Sequence, residues 1–217
     1  VISYLRENRK TDELEAPSEI EFYEETEFMN LDISARRNLE LTRSMMTGDK
    51  RHSLLWVIDN TKTAMGKRML RSWLERPLIS VSQISKRQNA VGELVDEPML
   101  RDEVKELLTG VNDIERLMSR IAYGTANAKE LRSLCATVER LPALKELLQN
   151  ANSALLKSIY NNIDTLQDVY ELINSSIVDE PPFSMREGGM IRDGYNAEID
   201  ELHTIMQGGA SVLAEIE

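Results

Sequence analysis

The chain has 217 residues, of which 41% are hydrophobic and 29% charged, and its net charge is −11. One domain of this size buries roughly 70% of the surface its unfolded chain exposes, so it needs neither a disulfide nor a metal to fold. The acidity argues against a general nucleic-acid-binding face, the lone Cys135 excludes an internal disulfide, and the apolar runs are too short to span a membrane.

Residues 1–10 read as the tail of a helix. Residues 11–28 carry Pro17 and a crowd of acids from Glu13 to Glu27, and they read as a linker with a short extended stretch at Ile20–Tyr23. No signal peptide opens the chain. Val1 stands where a start methionine would, and the helical pattern runs into Glu217 without a stop signal. A piece of a longer protein is expected, and the lone cysteine suits a reducing compartment.

From Asn30 onward helical signals are dense. Leu31, Ile33, Leu39 and Leu41 between charged positions predict a helix after Asp32, reaching toward Ser44, with a polar break at Gly48–Arg51. Ser53 can cap a short helix through Ile58. A turn at Asp59–Thr63 leads into a helix from Ala64 to about Glu75, ended by Pro77, with Met65, Met69, Leu70 and Trp73 as its apolar face. Ser80 and Gln83 have the spacing of a capping box for a helix to Asp96, and Asn127 and Glu130 repeat it for a helix to Arg140. Between them, helices from Pro98 to Leu108 and from Val111 to Tyr123 end at Gly110 and Gly124, both suited to the left-handed position past a helix. Pro142 fits the first turn of the next helix. Helices at Ser153–Asn161 and Asp164–Ile177 follow, the latter with Leu166, Val169, Tyr170, Ile173 and Ile177 on one stripe.

Residues 178–194 break the pattern with two prolines, a Gly-Gly pair and an Asp-Gly pair. The one strand candidate is a minor β-hairpin pairing Phe183–Met185 with Met190–Arg192. Beyond it, Ile199, Leu202, Met206, Gly209, Leu213 and Ile216 recur at three- and four-residue steps, a coiled-coil-like seam on a long final helix. Gly208 and Gly209 interrupt that seam and read as a local weak point or, more sharply, as a flexion point in a lever. The fold class is all-α, an irregular multi-helix core ending in a long lever helix.

Chemistry-bearing patterns are sparse. There is no Gly-x-x-x-x-Gly-Lys-Ser/Thr loop to cradle a nucleotide. His52 and His203 lack partners at metal-ligand spacing. Cys135 sits in an apolar helical stretch and reads as a buried small residue rather than a nucleophile. Arg36-Arg37 and Lys67-Arg68 with Arg71 are the basic candidates; they could meet phosphate, but the commoner role is salt bridges with the many carboxylates. Met185–Gly189 could form a phosphate nest, and a turn is the commoner meaning. The catalytic, cofactor and metal sets are therefore empty for this segment.

Leu31-Asp32 with Arg36–Leu41 resembles the opening of the core domain of the MutS family of DNA mismatch-repair proteins. Leu54–Leu74 with Pro77-Leu78 resembles the next block, Asp113–Leu117 with Arg120-Ile121-Ala122 a third, and Val178–Pro182 with Arg186–Tyr195, leading to Asp200-Glu201-Leu202, a fourth. The blocks keep the family's order and cover nearly the whole chain from about residue 29. Residues 1–28 resemble the exit from the preceding connector domain, and 29–217 the core (lever) domain, cut before the DNA clamp.

The resemblance implies a parent protein that is a homodimer, holds mismatched duplex DNA, uses ATP and Mg, and meets a downstream repair partner of the MutL type. The mismatch-reading, clamp and ATPase parts would lie outside this chain, leaving it a structural link. No family catalytic residue maps onto it. Two stretches are the candidate interdomain joints: Asp59, Thr61, Thr63, Gly66 and Arg68 in one, and Arg186, Gly188, Gly189 and Gly194 in the other. Ala64 stands where the family often carries proline, so the start of that helix is expected to be set by Thr63. A helical scaffold unrelated to DNA, binding partners through its last helix, is the alternative.

Overall fold

The computed structural model describes residues 27–216, with the side chains of Met185, Met206, Gln207 and 209–216 outside that description. The readings made for residues 1–26, including Ile20–Tyr23, lie outside it as well. Among the described residues eleven α-helices follow one another: α1 (Ile33–Asn38), α2 (Leu54–Ile58), α3 (Ala64–Glu75), α4 (Val81–Asp96), α5 (Pro98–Thr109), α6 (Ile114–Ala122), α7 (Ala128–Val138), α8 (Leu141–Leu147), α9 (Ala154–Asn162), α10 (Gln167–Ser176) and α11 (Ala197–Ile216). Among the described residues the β structure consists of two isolated antiparallel bridges, Phe28 with Leu78 and Ile177 with Ile191. The all-α expectation holds.

Helix starts are set by local polar chemistry. Asp32, Ser53, Thr63 and Asn127 each accept a backbone N–H of the helix they precede, with ψ between 152° and 171°. Thr63 does set the start of α3, accepting the Gly66 N–H at 2.9 Å. Asn127 and Glu130 complete the expected capping box, at 2.9 and 3.0 Å. Ser80 does not make its box: its ψ is 113°, and its side chain makes no capping bond. Ser80 directly follows Ile79, whose N–H is bonded to the Glu27 carbonyl at 3.1 Å, so the chain enters α4 from that pairing instead.

Three helix ends differ most from expectation. α6 starts at Ile114 rather than Val111, because Asp113 caps it by accepting the Arg116 N–H. α1 stops at Asn38 rather than running toward Ser44, because Glu40 takes a left-handed φ of 46°. Its carboxylate then accepts from Ser44 Oγ at 3.1 Å and the Met45 N–H at 2.5 Å, closing a loop in place of a helical turn. α10 starts at Gln167, not Asp164, because Leu166 is left-handed at φ 48°, with its N–H held by the Asp164 side chain at 3.0 Å. Such a non-glycine residue costs roughly 1–2 kcal/mol, offset here by packing of Leu166 against the core.

Gly124 is left-handed as expected, at φ 65°. Gly110 is not, at φ −94°. A Cβ there would stand 2.1 Å from Arg140 Cζ, so glycine makes room for that guanidinium.

Two hydrophobic clusters hold the body. One joins α7 and α10 through Ala128, Leu134, Cys135, Val138, Ile173 and Ile177, with Ile114, Leu117 and Ile121 of α6 packed against it. The expected stripe of Leu166, Val169, Tyr170, Ile173 and Ile177 faces it. The other joins α4 and α9 through Ala90, Leu148, Ala151 and Leu156. Glu93 of α4 adds a polar tie, its carboxylate accepting the Asn152 and Ser153 N–H groups at 2.5 and 2.7 Å just before α9. Burying one Leu- or Ile-sized side chain contributes roughly 1.5–3 kcal/mol, so these clusters, and not the short helices themselves, carry the stability.

The expected hairpin of Phe183–Met185 with Met190–Arg192 is absent. Residues 185–187 tighten into a 3-10 turn, and Gly188 and Gly189 both take positive φ, 70° and 68°. The extended stretch at 190–192 is thereby delivered to the end of α10: Val178 N–H donates to Met190 O at 3.1 Å and Arg192 N–H to Ser176 O at 2.9 Å. Met190 packs on the first cluster, which accounts for the choice of partner.

Candidate functional site

The turn between α2 and α3 is organised around one carboxylate. Asp59 accepts from Thr61 Oγ1 at 2.7 Å, is bonded to Lys50 Nζ, and has Lys67 Nζ at 3.8 Å. Its side chain is only 8% exposed. The Lys50 ammonium and then the Thr61 hydroxyl pull its pKa down to about 2. Gly66, one helical turn into α3, leaves space for Thr63: an added Cβ would stand 3.0 Å from Thr63 Oγ1.

Two residues on, Arg68 reaches out of α3 to α6. It meets Asp113 at 2.8 and 2.7 Å and Glu115 at 3.0 and 2.5 Å. Hydrogen bonding to Asp113 and then Glu115 raises the pKa of Arg68, and Arg68 in turn lowers that of Asp113. α3 is tied to α4 by a second cationic contact, Arg87 over the Trp73 ring at 3.7 Å. Asp59, Thr61, Thr63, Gly66 and Arg68 thus line the turn before α3 and its first five residues, with Asp59 bound to Lys50 and Thr61, Thr63 to Gly66, and Arg68 to α6.

The other predicted stretch forms a separate corner. Arg186 N–H is bonded to Ser184 Oγ at 3.3 Å. Gly188 and Gly189 reverse the chain, and Gly194, at φ 83°, donates its N–H to the Asp200 carboxylate at 3.0 Å, tying the corner to the first turn of α11. Asp179 bridges Arg132 of α7 at 2.7 Å and Arg192 at 2.9 Å. The ion pairs of this corner and those around the start of α3 have no residue in common. α11 runs as continuous helix through Gly208 and Gly209. An added Cβ at Gly208 would meet nothing within 4 Å.

Lys50, Asp113, Glu115, Arg132, Asp179, Arg192 and Asp200 take part in these contacts and were not among the expected residues. The sequence carried one usable signal, the acidic pair Asp113 and Glu115 flanking Ile114; nothing in it named Arg68, 45 positions away from Asp113, as the partner. Of the basic candidates, Lys67, Arg68 and Arg71 do enter ion pairs, with Asp59, with Asp113 and Glu115, and with Glu75. Arg36 instead donates to the Leu31 carbonyl at 2.9 Å. Cys135 is buried as expected, and burial pushes its thiol pKa up. Among the described residues no group of His, Cys, Asp and Glu is placed to hold a metal, and no helix is long and apolar enough to cross a membrane.

The architecture is that of an all-helical domain whose charged side chains tie its elements to one another. The family model described as MutS domain III matches residues 34–216, and the chain belongs to that family. Over all 217 residues it is 46% identical to the DNA mismatch repair protein MutS of Alkaliphilus oremlandii and 43% to that of Clostridium novyi, covering 24% of each. It is 42% identical to the protein of the same name from Acetivibrio thermocellus, covering 25% of it. The chain therefore spans about a quarter of the length of the curated relatives it matches. The four sequence blocks fall on α1, on α2 and α3, on the cap and body of α6, and on the corner before α11.

Proposed function

We propose that this chain is the core (domain III) segment of a DNA mismatch-repair protein, linking mismatch-reading and DNA-clamp parts to an ATPase part outside it. The observation that carries the reading is the exposed apolar surface of α2. Val57 is 64% exposed, Trp56 48%, Leu54 42% and Ile58 39%, all on this one five-residue helix. Apolar side chains grouped this way on a soluble protein mark a surface for contact with other protein. The rest of a parent about four times as long supplies a natural occupant.

Under this reading residues 1–28 are the end of the connector domain and 29–217 the core. The joints at Asp59–Arg68 and Arg186–Gly194 pass movement between domains, and α11, about 30 Å long at 1.5 Å per residue, carries it toward the clamp. The parent binds ATP and Mg, acts as a homodimer on mismatched duplex DNA, meets a MutL-type partner and works in the bacterial cytoplasm. This segment itself contributes no catalytic group.

The test uses the full-length parent. Trp56→Ser with Val57→Ser is expected to leave mismatch binding without nucleotide intact while slowing ATP-driven release from a mismatched duplex. Release at the unaltered rate would sink the linking role of this face.

A further inference from the structure

We infer that the Asp193–Gly194 pair ahead of α11 is a self-modification site, where the Asp193 side chain closes a succinimide ring on the Gly194 nitrogen and reopens as an isoaspartyl linkage. The inference stands on this corner alone and does not depend on the role proposed above.

The reaction first needs a bare neighbour. The main-chain nitrogen after an aspartate reaches the side-chain carboxyl carbon most easily when no Cβ crowds the approach, and glycine alone lacks one. The sequence holds a single Asp-Gly pair, at 193–194, and no Asn-Gly pair. The reaction also needs irregular backbone and access to water. The pair lies between the Ile177–Ile191 bridge and the start of α11, at the centre of a turn closed by the Tyr195 N–H on the Arg192 carbonyl at 3.2 Å. The Asp193 side chain is 96% exposed. Asp59 and Asp113 differ on both counts: their side chains are 8% and 18% exposed, each is bonded to a cation, and neither precedes a glycine.

Two protons must move, and α11 supplies a group for each. The Gly194 N–H donates to both oxygens of Asp200, at 3.2 and 3.0 Å, so a carboxylate already holds the proton that the attacking nitrogen must lose. His203 Nδ1 stands 3.9 Å from Asp193 Oδ1, and its imidazolium form faces an oxygen of the group that must leave. Asp200 and His203 are three residues apart and share one face of α11.

The step balances without an oxidant or reductant. The Gly194 nitrogen bonds to Asp193 Cγ, and its proton passes to Asp200. One Cγ–O bond breaks, and the oxygen leaves as water with one proton from His203 and one relayed from Asp200. Water then adds back to the ring and returns the protons. Opening at Cγ restores aspartate. Opening at the Asp193 main-chain carbonyl routes the chain through Cγ and leaves a free α-carboxylate, with one more methylene in the backbone. That shift moves Gly194 away from Asp200 and loosens the tie between the corner and α11. The new carboxylate is of the class that isoaspartyl methyltransferases esterify.

The experiment keeps the 217-residue chain at neutral pH and body temperature for weeks in water enriched in heavy oxygen. Each ring opening adds heavy oxygen at residue 193, which peptide mass spectrometry reads, and methyl transfer by an isoaspartyl methyltransferase counts the product. Residue 193 is expected to take up label faster than any other aspartate of the chain, and faster than the same pair in a free peptide spanning 190–197. Asp193→Glu keeps the charge but cannot close a five-membered ring, and should abolish the label there. Asp200→Asn and His203→Gln should each slow it about tenfold or more. Far-UV circular dichroism checks that each variant keeps its helices. Label no faster than in the free peptide would overturn the site, since the fold would then give no help. Faster label in Asp200→Asn would make that carboxylate a brake on the nitrogen and overturn it as well. So would an unchanged rate in either variant.

Discussion

The Arg68 guanidinium grips the Asp113 carboxylate at both oxygens, 2.8 Å from Nη1 to Oδ2 and 2.7 Å from Nη2 to Oδ1, while Asp113 also caps α6. One carboxylate therefore starts a helix and anchors another. Arg68→Ala should release α3 from α6 without opening either hydrophobic cluster, since neither cluster includes α3. Hydrogen exchange is expected to accelerate in α3 and the first turn of α6, with α7 and α10 unchanged. Arg68→Lys keeps the charge but not the two-pronged geometry, and should fall between the two. Uniform acceleration across all helices would show that the pair supports the whole fold instead.

Asp59 makes stability depend on acid. Its folded pKa of about 2 lies below the unfolded value of about 3.9, so its contribution is complete above that value and is lost as pH falls toward 2. Asp59→Asn should therefore cost about 1–2 kcal/mol at neutral pH, with the gap to the unaltered chain closing between about pH 4 and pH 2. Urea unfolding across that range measures it. A gap that stays constant down to pH 2 would mean the cost is steric and not ionic.

Thr137 is fully buried, and its hydroxyl serves three groups. It accepts from the Asn112 N–H at 3.0 Å and from Asn112 Nδ2 at 3.2 Å, and donates to the Ser133 carbonyl at 3.0 Å. Thr137→Val keeps the shape but strands the Asn112 donor, at a cost of about 1–3 kcal/mol. Thr137→Ser keeps the hydroxyl and should cost less. Equal destabilisation by both variants in denaturant melts would assign the effect to something other than the hydroxyl.

Gly208 lies in unbroken helix with open space around its Cα, so Gly208→Ala should stabilise α11 by about 0.5–1 kcal/mol and raise helical ellipticity slightly. If the Gly208–Gly209 pair bends during function, stiffening both to alanine in the full-length parent should slow ATP-driven release from mismatched DNA. Unchanged kinetics would remove flexion at this point while leaving the helix as a rigid strut.

The sequence by itself determined which segments are helical and how several of them begin. Caps, prolines and apolar periodicity act within a few residues, so Ser53, Thr63, the Asn127–Glu130 pair and the stripe from Leu166 to Ile177 were readable without a fold. Family membership was readable too, because ordered blocks of residues survive where any single motif is weak. What only the tertiary structure decided were the pairings across long separations and the departures from local preference. Met190–Arg192 binds the end of α10 rather than residues 183–185 because the first hydrophobic cluster takes up Met190. Glu40 and Leu166 accept left-handed backbones because a loop closure and a core contact outweigh the local cost. Arg68 finds Asp113, and Arg43 joins Arg71 and Arg116 in one cleft, because helix packing brings distant charges to a common face. Charge has no periodicity that reveals its partner; only the packing of the apolar faces does that.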